Sequence, residues 1–366
     1  MFGFLALAIW LCLVFAHGRF WQSGPILLPA RPIASPSVAI VVPARDEAAS
    51  IAPVIASLLA QDYPGPFRVI LVDDNSTDGT GDIARALPGS ERLTVITGAE
   101  RPPGWAGKLW AVSQGVAASD EELVLLTDAD ITHDPRHLAT LVAKLKSAHL
   151  EMVSEMVTLR CVDFAERALI PAFVYFFALL FPFNRVNDPT SSVAGAAGGT
   201  VLIRRRALAR IGGIEAIKGE LIDDCALAAR VKRGGRIWLG HSMLARSIRP
   251  YPHWRDVWKM IARSAYVQLK LSPLYLVGST LGMALLFLVP VISALYGHHP
   301  VGWLTWAIIT ATFVPTLRRF GLSLAWAPLL PAIALFYMAA TIGSALNHHR
   351  GRGVVWKNRA YTETAS

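Results

Sequence analysis

Residues 38–47 have the sequence Val-Ala-Ile-Val-Val-Pro-Ala-Arg-Asp-Glu, an apolar run that ends in three charged side chains. Such a run, followed at 47–61 by apolar residues at helical spacing, predicts a buried strand and then a helix. Further short apolar runs, separated by helical patterns, follow at 69–72, 93–97 and 123–127. This alternation predicts an α/β fold, with a mostly parallel sheet covered by helices on both faces.

Acidic clusters lie at the ends of three of these runs, and a fourth opens a helical pattern farther along the chain. The four clusters are Arg45-Asp46-Glu47, Asp73-Asp74, Asp128-Ala129-Asp130 and Asp223-Asp224. Ligands of open α/β sheets bind beyond the carboxyl ends of the strands, so we expect the first three clusters to meet at one edge. Carboxylates that lie close together repel one another unless a cation or a proton lies among them. The clusters therefore indicate a site for a metal ion and a polar ligand.

Asp128 and Asp130 are the candidate metal ligands. Residues two apart on extended backbone point to the same side, so both carboxylates could hold Mg²⁺ or Mn²⁺. Such an ion usually shares its remaining positions with phosphate and water. The alternative is an ordinary polar loop with solvated carboxylates, because a bare Asp-x-Asp is very common.

The other charged side chains also allow both a functional and a structural interpretation. Asp73 or Asp74 could accept a base N–H or a ribose hydroxyl, although the residues that follow them are good turn and capping residues. Lys108, at a helix start after two glycines, could approach an anion or lie at the surface. Asp223 and Asp224 could complement the dipole of the helix that they open, or supply a general base.

The order of these motifs resembles one known family. The ordered segments are Val-Val-Pro-Ala-Arg-Asp-Glu (41–47), Val-Asp-Asp-Asn-Ser-Thr-Asp-Gly-Thr (72–80), Gly-Lys-Leu-Trp-Ala (107–111), Thr-Asp-Ala-Asp (127–130), Gly-Gly-Thr (198–200) and Ile-Asp-Asp-Cys-Ala-Leu-Ala-Ala-Arg (222–230). Together they resemble the inverting family-2 glycosyltransferases of the GT-A fold, over residues 36–266. The membrane-anchored layout and the segments at 221–227 and 232–240 are most similar to the hopene-associated glycosyltransferases of hopanoid-making bacteria.

The resemblance implies a role for each matching position. The residues that would line the nucleotide pocket are Pro43, Ala44, Arg45 and Glu47. Those that would contact the rest of the donor or the acceptor are Asp73 and Asp74 (uracil or ribose), Lys108, Asp128 and Asp223. Asp130 matches the aspartate in direct contact with the metal ion, with Asp128 beside it. Asp224 matches the catalytic base. Asp223 stands where the family has Glu, which shortens that side chain by one methylene.

After the base, the chain departs from the processive members of the family. Those enzymes carry a Gln-x-x-Arg-Trp signature, whereas residues 253–258 here are His-Trp-Arg-Asp-Val-Trp. The departure favours a single transfer over extension of a polymer. Arg255 or Arg263 could still steady the leaving diphosphate, because guanidinium groups pair well with phosphate.

Apolar segments at both ends of the chain predict a membrane protein, in line with 53% hydrophobic residues. They are Phe2–Ala16, Tyr275–Tyr296, Val301–Leu317 and Leu324–Leu346. The first is slightly short for a span, but it has no basic region ahead of it and no convincing cleavage site, so we expect a retained anchor. The polar central block, between the first and second of these segments, carries Lys and Arg near both ends, whereas residues 297–300 carry none. The block is therefore expected at the cytoplasmic face of a bacterial inner membrane, which the chain crosses several times.

These features predict six segments along the chain. They are an N-terminal anchor (1–20), a linker (21–36), a GT-A domain (37–250), an amphipathic interface helix (251–273), C-terminal spans (274–346) and a basic tail (347–366). The apolar stretch 164–183 is expected to be a surface or buried helix, because a span there would separate the two halves of the site. The basic tail indicates the cytoplasm, but three C-terminal spans would place it outside. Either 301–317 does not cross, or the charge rule fails here.

The predicted reaction is transfer of a sugar from a nucleotide-sugar donor, expected to be a UDP-sugar, to a lipid acceptor. The family resemblance implies a hopanoid acceptor. The alternatives are a polyprenyl phosphate acceptor, or a non-catalytic membrane scaffold with a degenerate nucleotide domain. A Rossmann dehydrogenase is disfavoured, since no Gly-x-Gly-x-x-Gly follows the first strand. The three cysteines show no zinc or disulfide spacing, and the net charge of +9 fits anionic lipid better than nucleic acid, for which there is no binding motif.

Overall fold

The computed structural model describes residues 1–350, 355–356 and 359–360. The chain divides into two compact units. The sheet unit comprises Pro25–Arg160, Val186–Arg249 and Trp356–Ser366. The helical unit comprises Met1–Gly24, Cys161–Arg185 and Pro250–Val355. Most of the predicted basic tail (347–366) lies outside the described residues.

A mixed sheet forms the centre of the sheet unit. Its strands are Val38–Ala44 (β1), Phe67–Asp73 (β2), Leu93–Thr97 (β3), Leu123–Thr127 (β4), Ile131–His133 (β5), Met152–Thr158 (β6), Thr200–Arg204 (β7) and Ile237–Ser247 (β8). Their order across the sheet is β3-β2-β1-β4-β7-β6-β8-β5. The pairings from β3 to β4 and between β6 and β8 are parallel, whereas β7 is antiparallel to both of its neighbours and β5 is antiparallel to β8.

The helices of the described residues are numbered in chain order. They are Phe2–Ala16 (α1), Ala48–Leu59 (α2), Thr80–Arg85 (α3), Gly107–Ala117 (α4), His137–Ser147 (α5), Phe164–Leu180 (α6), Phe183–Asn187 (α7), Arg205–Arg210 (α8), Asp223–Lys232 (α9), Trp254–Gln268 (α10), Pro273–Met283 (α11), Val289–Leu295 (α12), Pro300–Arg319 (α13) and Leu330–His349 (α14). Short 3₁₀ turns lie at Phe20–Gln22, Ser90–Arg92, Ile214–Ile217 and Leu324–Leu329, and a π turn at Ala284–Leu288. The two-residue strands Val355–Trp356 (β9) and Arg359–Ala360 (β10) pair with each other.

Helices cover both faces of the parallel part of the sheet. Ile40 of β1 belongs to the apolar cluster that includes side chains of α2, whereas Ala39 packs with Ala111 of α4 on the other face. Gly115 of α4 lies so near β1 that an added Cβ would meet Val41 Cγ1 at 2.5 Å. Burial on both faces explains why β1 is apolar at every position up to its end.

The prediction of a mostly parallel sheet is wrong for β7 and β5, which run antiparallel to their neighbours, whereas β6 and β8 pair in parallel. A strand buried on both faces is apolar throughout, whichever way it runs, so the pattern of β7 does not reveal its direction. The pattern also fails to predict β5, β6 and β8. In β6, Ser154 and Glu155 are both buried with no exposed surface, and these polar residues interrupt the apolar run.

The helical unit contains the candidate membrane spans. Among the described residues, three helical segments are long and apolar enough to cross a bilayer, namely Pro273–Leu295, Pro300–Arg319 and Leu324–His349. α1 is also apolar, but its 15 residues give a length of about 22 Å, short of the ~30 Å hydrocarbon core. α6 contains Pro171 and begins at a capping box in which Glu166 takes part.

Candidate functional site

The ends of β1 and β2 continue to pair where the strands give way to loops. Ala44 lies opposite Asp73 in the parallel register, and the Asp74 N–H donates to the Ala44 carbonyl at 2.8 Å. The adjoining loops turn sharply, with positive φ angles of 49° at Asp46 and 54° at Asn75. Asp and Asn tolerate this left-handed region better than most residues. The first two acidic clusters therefore lie side by side.

Asp73 and Asp74 have different surroundings. Asp73 Oδ1 accepts the Ser76 N–H at 2.9 Å, so this carboxylate stabilises the turn in which it lies. Asp74 is 1% exposed and lies beside Arg45, whose Nη1 is 3.6 Å from Asp74 Oδ2. The same guanidinium donates to the Asp74 carbonyl. Asp74 thus joins the second strand end to the first.

Lys108 lies between the third and fourth acidic clusters. Its Nζ is 2.9 Å from Asp128 Oδ1 and 3.3 Å from Asp223 Oδ2. Burial alone would lower the pKa of Lys108, but the two carboxylates outweigh burial and raise it above its ordinary value. The lysine is therefore charged, and it holds the Asp-x-Asp segment next to the first turn of α9.

Arg249, which follows β8, joins Asp130 to Glu47. Its Nε donates to Asp130 Oδ2 at 2.6 Å, and its Nη2 donates to Glu47 Oε1 at 2.6 Å. Desolvation and the nearby Asp128 carboxylate raise the pKa of Asp130, while Arg249 acts in the opposite direction. The end of β4 is thereby linked to the end of β1 through one guanidinium group.

Asp224 lies in the first turn of α9. Its Oδ1 accepts the Cys225 N–H at 2.7 Å, and a Cβ added to Gly198 would lie 3.2 Å from its Oδ2. Desolvation and the charge of Asp223 raise the pKa of Asp224 to about 7, partly opposed by Lys108. A carboxyl group with such a pKa can take up a proton from a substrate and release it again near neutral pH.

A cavity lies where these elements meet. Its wall includes the charged residues Lys108, Asp128, Asp223 and Asp224, together with Pro43 and Gly198. Apolar side chains, among them Leu109 and Leu227, form much of the remainder. A concave site with a few convergent polar groups in an apolar wall is the usual form of a small-molecule site. The structure therefore brings the third and fourth clusters to one place, beside Pro43 of the first strand.

Residues 39–212, which carry the first three clusters, match the family described as Glycosyl transferase family 2. This match covers slightly less than half of the chain, and it shows that residues 39–212 are similar to a glycosyl transferase family 2 domain. The predicted enzyme class is confirmed at the level of this domain. Asp223 and Asp224 lie beyond the matched residues, so the family match does not bear on the fourth cluster.

Curated relatives resemble parts of the chain. A dodecaprenyl-phosphate galacturonate synthase from Rhizobium johnstonii is 30% identical over 125 residues, 33% of this chain and 36% of that protein. The probable glycosyltransferase YdaM from Bacillus subtilis is 26% identical over 199 residues, 54% of this chain and 46% of that protein. A 4,4′-diaponeurosporenoate glycosyltransferase from Staphylococcus aureus is 34% identical over 96 residues, 26% of this chain and 24% of that protein. The chain thus spans less than half the length of these relatives.

A solved structure resembles the chain over most of its length. It is a mannosyltransferase from Pyrobaculum calidifontis in complex with GDP-Man and Mn²⁺, with a TM-score of 0.57 and 20% identity, covering 94% of this chain and 99% of that one. At this identity the similarity concerns the fold alone. It supports a GT-A-like arrangement, a mixed α/β sheet flanked by helices, for this family-2 domain.

The Asp-x-Asp segment of the family-2 domain offers two carboxylates to a metal ion. Within the described part of the chain, no three His, Cys, Asp or Glu side chains are grouped to hold one. Mg²⁺ commonly binds through one or two carboxylates and completes its shell with substrate phosphates and water. Asp128 and Asp130 therefore fit an ion of this kind, provided that a diphosphate supplies further oxygens.

Two predicted substrate-binding residues, Arg255 and Arg263, belong to the helical unit. Both lie on α10, where the Arg255 guanidinium is 5.4 Å from the centre of the Trp254 ring. Their contact with a diphosphate stays a sequence-based prediction. Sequence reasoning missed Arg249, because a single arginine after an unpredicted strand carries no local signal among its basic neighbours.

Proposed function

We propose that this protein transfers a sugar from a nucleotide-sugar donor to a lipid hydroxyl at the cytoplasmic face of a membrane, with inversion at the anomeric carbon. The donor is proposed to be a UDP-sugar. The observation that carries the proposal is the position of Lys108, which contacts both Asp128 of the Asp-x-Asp segment and Asp223. Asp128 and the candidate base Asp224 both line one cavity, which supports a site that they share.

Asp224 is the proposed base. It takes the proton from the acceptor hydroxyl, and the oxygen then attacks the anomeric carbon on the side opposite the nucleoside diphosphate. The bond from that carbon to the diphosphate oxygen breaks, and its electron pair leaves with the diphosphate. A pKa of about 7 allows Asp224 to be ionised in a useful fraction of molecules at neutral pH.

The remaining charged residues are proposed to hold the donor. Asp128 and Asp130 would hold Mg²⁺ or Mn²⁺, which when bound acts as a Lewis acid toward the leaving diphosphate. Asp74 and Asp73 are proposed to recognise the base or ribose, with Pro43, Ala44, Arg45 and Glu47 lining the pocket. Lys108 and Arg249 pair with carboxylates of the site, and both are proposed to meet negative charge on a diphosphate.

A lipid acceptor is supported by two observations. Among the described residues, three helices could cross a membrane by length and composition, and we propose the shorter apolar helix α1 as an additional anchor. The names of two relatives specify lipid molecules, dodecaprenyl phosphate and 4,4′-diaponeurosporenoate. The resemblance to hopene-associated enzymes leads us to propose a hopanoid, and a bacterial inner membrane as the location.

The second candidate acceptor is a polyprenyl phosphate, favoured by the similarity to the dodecaprenyl-phosphate enzyme. A phosphate oxygen is already ionised at neutral pH, so its attack needs no strong base. The two acceptors therefore differ in how much they depend on Asp224.

The proposed function is tested on membranes that contain or lack the protein. They are incubated with labelled UDP-sugars and GDP-mannose, and the lipid extract is analysed by mass spectrometry. A protein-dependent glycolipid formed from a UDP-sugar supports the proposal, and its structure identifies the acceptor. A product formed only from GDP-mannose would correct the donor. Absence of any product with all donors would favour the scaffold alternative.

The role of Asp224 is tested with purified full-length variants. We expect Asp224→Asn to retain donor binding and to lose roughly 10²–10⁴-fold in turnover, the range supplied by general base catalysis. Asp120→Asn is the matched control, since the Asp120 side chain is 98% exposed and forms only a 3.4 Å contact with Arg68. Near-normal turnover of Asp224→Asn on a phosphate acceptor would favour the polyprenyl candidate.

A further inference from the structure

A buried network of hydrogen-bonded polar side chains lies next to the Asp-x-Asp segment. Thr127 Oγ1 is 3.1 Å from His133 Nε2, His133 Nδ1 is 2.8 Å from His137 Nδ1, and His137 Nε2 is 2.5 Å from Glu155 Oε2. These four residues are between 0% and 5% exposed. Neither the family match nor the proposed reaction assigns a role to any of them. Glu155 Oε1 is buried without a hydrogen-bond partner in the described part of the chain, whereas the other polar side-chain atoms of the network are paired. A buried network of this kind specifies local structure through the hydrogen bonds that it forms.

The network contacts both ends of the segment that carries the two carboxylates. Thr127 ends β4 immediately before Asp128, and His133 ends β5, which begins immediately after Asp130. The hydrogen bond between Thr127 and His133 therefore closes the loop that contains both carboxylates. The backbone N–H of His133 also donates to Ser57 Oγ at 3.1 Å, so the same residue is hydrogen-bonded to helix α2.

Thr127 extends the network toward the base. Its hydroxyl donates to the Gly199 carbonyl at 2.9 Å, and Gly198 is the neighbour whose absent side chain leaves room for Asp224. One threonine thus links the Asp-x-Asp loop to the turn that packs on Asp224. A shift of the Thr127 hydroxyl would therefore alter the positions of both the Asp-x-Asp loop and the turn beside Asp224.

The hydrogen bonds fix the donor and the acceptor in the links from Gly199 to His137. A carbonyl oxygen can only accept, so Thr127 gives its single proton to Gly199 and must accept from His133 Nε2–H. Burial, together with the nearby His137, lowers the pKa of His133 well below its ordinary value, so His133 is neutral and its Nδ1 accepts. His137 Nδ1–H is then the donor, and one proton lies between His137 Nε2 and Glu155 Oε2.

We propose that Thr127, His133, His137 and Glu155 are positioning residues that preset the separation of Asp128 and Asp130 for a divalent ion. The proposal rests on the proposed function only in taking these two aspartates as the metal ligands. Residues that orient metal ligands without touching the metal typically contribute 10–100-fold to metal affinity. The network acts through a fixed order of donors, not through its charge.

This distinction makes opposite predictions for two substitutions of Glu155. The amide of Glu155→Gln can donate an N–H to His137 Nε2 and so preserves the order of donors. Glu155→Leu removes the partner altogether and leaves His137 free to change its tautomer. A role of Glu155 as a buried negative charge would make the two variants equally defective.

The experiment measures Mn²⁺ binding to the purified full-length protein in the presence of UDP, by electron paramagnetic resonance of the free ion. We expect Thr127→Val and Glu155→Leu to weaken binding at least about tenfold, and Thr127→Ser and Glu155→Gln to bind within about threefold of the wild type. Thr200→Val is the matched control. Thr200 is also buried and donates to the same Gly199 carbonyl at 2.8 Å, but it is not a member of the network. Long-range proton–nitrogen NMR spectra of labelled histidines should show His133 as the Nε2–H tautomer.

The outcomes separate this inference from the proposed function. Wild-type binding of Mn²⁺ that Thr127→Val and Glu155→Leu leave unchanged overturns the inference alone, as does an Nδ1–H tautomer at His133. Equal losses in Thr127→Val and Thr200→Val also overturn it, since they would reflect only the loss of a buried hydroxyl. A wild-type protein that binds no Mn²⁺ with UDP overturns the metal assignment on which both depend.

Discussion

Lys108 and Asp128 form an ion pair in which the lysine Nζ lies 2.9 Å from the carboxylate Oδ1, and the same Nζ is 3.3 Å from Asp223. One cation therefore spans two acidic clusters that are far apart in sequence. Because Asp223 precedes Asp224 directly, any change in the charge at Lys108 alters the electrostatic surroundings of the proposed base.

Substitution of Lys108 should change the pH dependence of turnover. Removal of a nearby positive charge disfavours a carboxylate, so Lys108→Gln should raise the pKa of Asp224 above the wild-type value of about 7. The acid side of the pH–kcat profile should move to higher pH by at least about half a unit, with kcat near neutral pH reduced. Lys108→Arg retains the charge and should leave the midpoint close to that of the wild type. A Gln variant that lowers kcat without moving the midpoint would contradict this coupling.

The wild-type enzyme should lose turnover as the pH falls below about 7. Asp224 can accept a proton only when ionised, so kcat should decrease about tenfold per pH unit on the acid side of its pKa of about 7. The measurement is kcat against pH with saturating donor and acceptor, over a range of about pH 5 to 8.5. A flat profile with a hydroxyl acceptor would show that Asp224 is not the base.

Arg249 supplies a third test, in the absence of substrate. Asp130 and Glu47 share its guanidinium, with both contacts at 2.6 Å, so Arg249→Gln leaves two carboxylates facing each other. We expect the apparent unfolding temperature in metal-free buffer to fall by about 2 °C or more. Mn²⁺ should restore more of this loss in the variant than it adds to the wild type, because the ion replaces the lost cation.

The control for Arg249 is an ion pair away from the acidic clusters. Arg68 contacts Glu121 near the amino ends of the parallel strands, and Arg68→Gln should also lower the unfolding temperature. Mn²⁺ should give no extra recovery in that variant. Equal recovery in both variants would mean that the ion acts elsewhere on the protein.

The sequence predicts the parallel half of the sheet well because its strands are buried on both faces. β3 and β4 have the predicted bounds, 93–97 and 123–127, and β1, predicted over 38–42, continues for two more residues to Ala44. The rule that ligands bind at the carboxyl ends of such strands then indicates which acidic residues would converge. The same reasoning does not predict the other half of the sheet. The apolar sequence of β7 does not show in which direction the strand runs, and the buried Glu155 interrupts the apolar pattern of β6.

The partners of the acidic residues are less predictable than the acidic residues themselves. Asp128 and Asp130 are marked by their spacing after a strand, but Arg249 is separated from Asp130 by more than a hundred residues. His133 and His137 have the i, i+4 spacing of one helix face, yet only His137 belongs to α5 and His133 ends β5. Such contacts depend on tertiary packing, which local pattern does not specify.

The raised pKa of Asp224 also predicts a difference in stability between the wild type and Asp224→Asn. The folded-state pKa of about 7 lies above the ordinary value of 3.8, so the folded protein binds this proton more tightly than the unfolded chain. The resulting stabilisation is complete below about pH 4 and is lost progressively as the pH rises to 7. Asn carries no charge, so Asp224→Asn should unfold at a higher temperature than the wild type at pH 8, and this advantage should shrink toward pH 4. The measurement is the apparent unfolding temperature of both proteins across this range, with Asp120→Asn expected to show no such trend. A wild type that is the more stable of the two at pH 8 would mean that the Asp224 carboxylate is well solvated or well paired, and the proposed base would lose its physical basis.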